Sequence, residues 1–245
     1  MLLQDILTFF EQKAPKHTAE EWDNVGLLVD CGHTTVSTVV VALDATPAAL
    51  AFAKEKGAQL LITHHPIIFS PLAEVTHTHP AAKALKDGIS VLSLHTNLDK
   101  AAGGVNDTLA EKLGLENITI AADGMSRIGS LPTALSATDF ATVCAKTLNT
   151  PVSFCGDNTV KTVAVCGGGA GDGVFAFANN VDAYVTGEIK HHEWLAANES
   201  GLCAVAAGHY ATENPVVTTV AAWLSDTDMT VLPFCDTAPY TQKGV

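Results

Sequence analysis

The sequence predicts an α/β layered fold built on a largely parallel or mixed sheet. Two observations carry this. Short β-branched apolar runs alternate with capped helical segments, and the same alternation starts again in the second half of the chain. The similar grammar of the halves suggests an internal structural duplication, although no residue-level repeat is visible.

The opening segment MLLQDILTFFEQKAP reads as an amphipathic helix, with Leu3, Ile6, Leu7 and Phe10 at helical spacing and Asp5 and Glu11 between them. Trp22-Asp23-Asn24 then precedes the strand VGLLV; it reads as an Asx-type turn or as a substrate-side loop. VSTVVVAL (36–43) is a buried strand. Thr46 caps the next helix, with Pro47 at its first position and Gly57 at its end. A strand from Gln59 to Thr63, a helix over 80–87 and a strand from Ile89 follow. Asn106 is expected to cap the helix DTLAEKLG, which Gly114 ends.

The second cycle runs through a helix from Asp139 to Leu148, the strand VKTVAVC, the glycine cluster Gly167–Gly173 and a helix near Val174–Asn179. The strand AYVTGEI, the helix HHEWLAANES, the strand LCAVAAGHY and the long helix ENPVVTTVAAWLS complete it. Composition places a domain boundary near 120–130, giving domains 1–125 and 126–245.

Thirteen Lys and Arg against twenty-six Asp and Glu leave a net charge of −13. Such a surface repels phosphate backbones and anionic lipid, which argues against nucleic acid and membrane as partners. The N-terminus has no basic start and no unbroken apolar run, so no secretory signal is expected. No stretch reaches the roughly 20 apolar residues of a membrane helix. The six cysteines lie far apart with no C-x-x-C pair, the pattern of reduced thiols in a cytoplasmic protein.

Functional groups in α/β sheets gather just past the C-terminal ends of the strands. Three polar clusters stand there: Thr63-His64-His65-Pro66 after LLI, His95-Thr96-Asn97-Leu98-Asp99 after VLSL, and Gly208-His209-Tyr210-Ala211-Thr212-Glu213 after AVAA. Imidazole with carboxylate is the donor set of zinc, manganese, iron or cobalt. Neighbouring side chains on a regular strand diverge, so one ion hardly takes both His64 and His65. Where the chain turns at Pro66, the two rings can serve two ions about 3.5–4 Å apart that share a carboxylate. Glu213, placed in a first helical turn behind a Thr212 cap, is positioned to be that carboxylate.

The adjacent pair alone says little. Ten histidines in a chain of this length produce about 0.4 such pairs by chance, and two occur, at 64–65 and 191–192. The company of Asp99, His209 and Glu213 is what gives the first pair meaning. His191 and His192 lie in a predicted helix, either on its solvent face or, with Glu188, at the mouth of a pocket. The cluster GGGAGDG fits neither G-x-G-x-x-G nor a P-loop, and reads better as a tight turn than as a phosphate cradle. Asp44 either supports a metal ligand or caps a turn. No G-x-S-x-G elbow supports serine catalysis.

Five segments in order, EEWDNVGLLVD, LLITHHPIIFSPL, SLHTNLDKAAGGVNDTLAEKLGL, AYVTGEIKHHEW and AAGHYATENP, resemble the motifs of the Nif-three-like family of dinuclear-metal hexamers, the GTP cyclohydrolase I type 2 homologues. The likeness covers about residues 20–220 and is to the short form without an inserted domain. It implies two intertwined α/β domains, each a mixed sheet flanked by helices, with the C-terminal segment returning to the first. It implies two divalent transition-metal ions per subunit (Zn, Fe, Mn, Ni or Co): His65 and Asp99 on one, His64 and His209 on the other, Glu213 bridging. It further implies a homo-hexameric ring and metal-dependent hydrolysis of a nucleotide or related small molecule. The alternative is a non-catalytic metal-binding hexamer serving storage, delivery or partner recruitment. His95, four residues before Asp99, is the candidate proton shuttle, or else it orients a ligand.

Overall fold

The computed structural model describes residues 1–240 and divides into two compact units, each a mixed sheet flanked by helices. One comprises Met1–Gly104 and Val216–Thr237, the other Val105–Pro215 and 238–240. The chain leaves the first unit at Gly104 and re-enters it at Val216. The boundary placed by composition after residue 125 falls inside the second unit.

In the first unit five strands lie in the order Gly26–Val29, Ser90–Ser93, Leu60–Thr63, Thr38–Ala42 and Thr230–Phe234. Only the Gly26–Val29 edge is antiparallel to its neighbour. Val40, Leu61 and Val91 share one face and pack on Ala49, Leu50 and Ala53 of the helix Pro47–Glu55. That helix starts as expected, with the Thr46 hydroxyl accepting the Ala49 N–H at 3.1 Å and Pro47 at its first position. Cross-strand register aligns the strand ends. Ala42, Thr63 and Ser93 stand opposite one another in a row. Asp44, His64, His65 and His95 therefore leave the sheet along the same edge.

In the second unit six strands lie in the order Glu116–Ile120, Arg127–Ser136, Thr159–Val165, Ala183–Thr186, Cys203–Ala206 and Ser153–Phe154. The three in the middle of the chain's second cycle are parallel, with Val163 opposite Ala183 and Ala183 opposite Cys203. Both faces are buried. Val163, Val165, Val185 and Val205 pack with Leu109, Phe140 and Leu131, whereas Ala164, Tyr184 and Ala204 face Phe177 and Ala197. This explains why these strands read as continuous apolar runs. Cys144 and Cys203 sit in that core; burial pushes their thiols up to about 12, so they are packed, unreactive groups.

The structure adds elements that apolar periodicity does not reveal. Glu116–Ile120 is a mostly exposed edge strand. Arg127–Ser136 begins with an arginine that is 1 % exposed, paired with Asp107 and donating to the Met125 carbonyl at 2.7 Å. A buried cation is tolerable only with such partners. Thr230–Phe234 contains Pro233, which an edge position accommodates. Asn106 is corrected: the helix begins at Val105, and the buried Asn106 side chain instead accepts the Gly167 N–H at 2.8 Å and donates to the Met125 carbonyl at 3.1 Å. Among the described residues no helix is long and apolar enough to cross a membrane.

Gly173 opens the helix Gly173–Phe177 against Tyr184, whose hydroxyl donates to the Ala170 carbonyl at 2.6 Å. A Cβ at Gly173 would stand 2.3 Å from that hydroxyl and 2.4 Å from the ring. The phenol is buried and stacked on Phe177, so it cannot give way freely. Gly173→Ala is expected to destabilise the protein by about 1–3 kcal/mol, the usual cost of overpacking. Urea unfolding measures it, and an unchanged midpoint would contradict the packing described.

Candidate metal centre

The edge of the first sheet bends sharply after Thr63. The N–H groups of His64 and His65 both donate to the Leu43 carbonyl, at 3.1 and 3.0 Å, and the Thr63 hydroxyl donates to the His65 carbonyl at 2.8 Å. This turn abolishes the strand's alternation. The two imidazoles end up side by side, with ring centroids 4.9 Å apart and planes at 40°. His95 joins them, 5.2 Å from the His64 ring and 5.6 Å from that of His65.

All three rings are anchored in the same way. His64 Nδ1 lies 2.9 Å from the Leu94 carbonyl oxygen, His65 Nδ1 2.7 Å from Asp44 Oδ1, and His95 Nδ1 2.8 Å from Asp23 Oδ1. Each partner is an oxygen that can only accept, which assigns the proton to Nδ1 and the lone pair to Nε2. One ring nitrogen from each histidine lies within 4.8 Å of the other two. His64, 2 % exposed, also directs Nε2 toward Asp99 Oδ1 at 3.7 Å. Asp99 sits in the short helix Thr96–Lys100, one turn after His95. Lone pairs and a carboxylate gathered in this way repel one another unless a cation lies among them. The donor chemistry fits a divalent transition metal.

Asp23 is the residue whose role the sequence left undecided. Its Oδ1 accepts the N–H of the adjacent Asn24 at 2.8 Å, one residue on rather than the two of an Asx turn, and the same oxygen orients His95. Its other oxygen accepts the Thr96 N–H at 3.0 Å and the Thr96 hydroxyl. Asp44, equally open, is the anchor of His65.

In the second unit His209 and Glu213 face each other across one turn of the helix His209–Glu213, with Nε2 3.1 Å from Oε2. Glu188, leaving the strand Ala183–Thr186, brings Oε1 to 3.4 Å from His209 Nδ1. The Thr212 cap is corrected. Thr212 lies inside this short helix, donating to the Gly208 and His209 carbonyls and accepting the Gly168 N–H at 3.1 Å. The break before Pro215 sets Glu213 at a helix end rather than a beginning.

The glycine cluster now has a third explanation besides turn and phosphate cradle. Gly168, at φ +68°, passes so close to Glu213 that a Cβ would stand 2.1 Å from Oε1. Gly167 likewise packs on Glu213 Cγ. The loop is the wall that holds a buried glutamate, 5 % exposed, in one orientation. His191 and His192 are exposed on the helix His191–Ser200, and His192 stacks on Phe175 with centroids 6.3 Å apart. Of the two readings, they follow the solvent-face one, and Glu188 is the member of that group that reaches a candidate ligand.

The Asp23 carboxyl illustrates the electrostatics. Burial works to raise its pKa, but hydrogen bonds from the His95 ring and from the Thr96 hydroxyl and N–H outweigh that and hold it at about 2. A carboxylate depressed in the folded state stabilises the fold above its unfolded pKa, and that contribution disappears as pH falls from about 4 toward about 2. Urea melts in the presence of a chelator should show wild-type stability falling across this window, with a shallower fall in Asp23→Asn. Equal slopes would contradict the assignment.

Comparison with known proteins identifies the family. The family model Duf34/NIF3 (NGG1p interacting factor 3) matches residues 1–237. A Clostridium perfringens protein called GTP cyclohydrolase 1 type 2 homolog is 32% identical over 237 residues, 90% of each chain. A Lactococcus lactis protein of the same name is 32% identical over 243 residues, 94% of each. The crystal structure of a Staphylococcus aureus protein superposes with a TM-score of 0.90 at 27% identity, covering 99% of both chains. This chain belongs to the Duf34/NIF3 (NGG1p interacting factor 3) family.

Proposed function

We propose that the chain is a dinuclear metal-dependent hydrolase acting on a nucleotide or a related small molecule. The observation that carries this reading is the set of three imidazoles tied down at Nδ1, with one ring nitrogen of each lying within 4.8 Å of the others. His65 and Asp99 would hold one divalent ion, His64 and His209 the other, and Glu213 would be shared. The names of the bacterial relatives point to GTP cyclohydrolase-type chemistry, which opens the guanine imidazole ring and releases formate. When bound, such ions supply Lewis acidity and a water acidified to near neutrality.

The protein's own residues do the rest. Asp44 and the Leu94 carbonyl hold two ligand rings in the tautomer that presents Nε2. Asp23 keeps the proton on His95 Nδ1, so His95 takes up or gives a proton at Nε2, as a general acid–base needs. Glu188 orients His209 from the open side. The reading includes a six-subunit ring and a reducing, cytoplasmic setting, the latter in keeping with six cysteines that lie far apart in the sequence with no C-x-x-C pair.

Purified protein should contain close to two transition-metal ions per chain. Glu213→Ala should lose at least one, and His95→Ala should keep both. The loaded protein, screened against nucleoside triphosphates and phosphoesters, should release formate or phosphate, and His64→Ala should abolish that release. Full metal content in Glu213→Ala contradicts the shared-ligand assignment. A flat screen would replace the hydrolase with a metal-holding protein for storage, delivery or partner recruitment.

A further inference from the structure

Two large aromatic side chains of the first unit stand in solvent beside the histidines. Trp22 is 61 % exposed and Phe69 53 %. Their ring centroids lie 5.9 Å apart, and 6.1 and 6.2 Å from the His95 ring. A lone exposed aromatic is ordinary, but these two are held in place from both sides. The backbone after Trp22 is fixed by the Asp23 bonds to His95 and Thr96. The Asn24 side-chain amide donates to the Ile68 carbonyl at 2.6 Å, which ties the Trp22 segment to the Phe69 segment. Phe69 lies within the long irregular segment between the strand ending at Thr63 and the helix Pro80–Asp87.

We infer that Trp22 and Phe69 form a ring-binding subsite, on which a planar, uncharged heteroaromatic ring such as a nucleobase stacks beside His95. This deepens the hydrolase reading and rests on it, since it names the part of the substrate that the first unit recognises. Indole and phenyl faces bind the π-face of any base without needing hydrogen-bond readout. A neutral ring also suits the local charge. Lys100, in the helix that follows His95, is paired with Glu20 at 2.7 Å, and Glu21 and Asp23 flank Trp22. A phosphate would be repelled at this end of the molecule and belongs toward the metal ligands.

The full-length, metal-loaded protein carrying Trp194→Phe and Trp223→Phe has Trp22 as its only tryptophan. Its fluorescence should be quenched saturably by guanosine and by GTP, and not by inorganic tripolyphosphate. Calorimetric titration of GTP into otherwise wild-type protein should show roughly tenfold weaker binding for Trp22→Ala, the scale of one base–aromatic stack. Phe69→Ala should weaken binding similarly, Trp22→Phe should recover part of the loss, and metal content should not change. Quenching by tripolyphosphate as strong as by GTP, tighter binding of tetramethylammonium than of guanosine, or wild-type GTP affinity in Trp22→Ala would each overturn the subsite. Ring binding in a protein that turns nothing over contradicts the hydrolase reading alone. An unchanged KM for GTP in an active Trp22→Ala enzyme contradicts the subsite alone.

Discussion

The candidate site depends on one constraint: an imidazole can present a lone pair in a fixed direction only if its other nitrogen is held by an acceptor. Leu94, Asp44 and Asp23 supply that acceptor for His64, His65 and His95. Two of these three lie at the C-terminal edge of the first sheet, where the register row Ala42, Thr63, Ser93 sets them level with the histidines. The third, Asp23, reaches in from the segment before Gly26–Val29, the antiparallel edge strand. Sheet register is thus what turns distant sequence clusters into a set of converging donors.

The second unit solves a related problem differently. Its carboxylate, Glu213, is buried, and a buried carboxylate is costly unless its surroundings are arranged for its charge. The structure meets this with His209 one turn away on the same helix and with glycines that let the backbone close over the side chain. Glycine has an entropic cost and contributes no packing of its own. Gly167 and Gly168 make sense as a requirement of that close approach, while Gly171 closes on Glu193 and Gly173 on Tyr184. The same loop then serves Tyr184, so rigidity around the glutamate and the packing of the outer face are linked through one stretch of chain.

Much of the fold was legible in the sequence because strands buried on both faces, such as Cys203–Ala206, announce themselves as unbroken apolar runs, and capped helices such as Pro47–Glu55 carry their own start signals. The strand-end positions of His64, His95 and His209 came directly from those runs. What escaped was governed by partners far away in sequence. Arg127–Ser136 opens on a buried arginine that only Asp107 and the Met125 carbonyl make tolerable. Asn106 and Thr212 look like helix caps locally, yet both are used to bind the glycine loop. Asp23 and Asp44 were ambiguous because a carboxylate in a turn and a carboxylate behind a histidine have the same local sequence. Only the distances of 2.8 and 2.7 Å separate them.

Two ions served through Nε2 of these anchored histidines are the core of the proposed centre. Anomalous diffraction from crystals of the metal-loaded protein, collected at the absorption edge of the element found by metal analysis, tests it most directly. Two peaks about 3.5–4 Å apart are predicted. His65 Nε2 and Asp99 should contact one, His64 Nε2 and His209 the other, and Glu213 both. A single peak, or ligation through the Nδ1 atoms that Asp44 and Leu94 now hold, would contradict it.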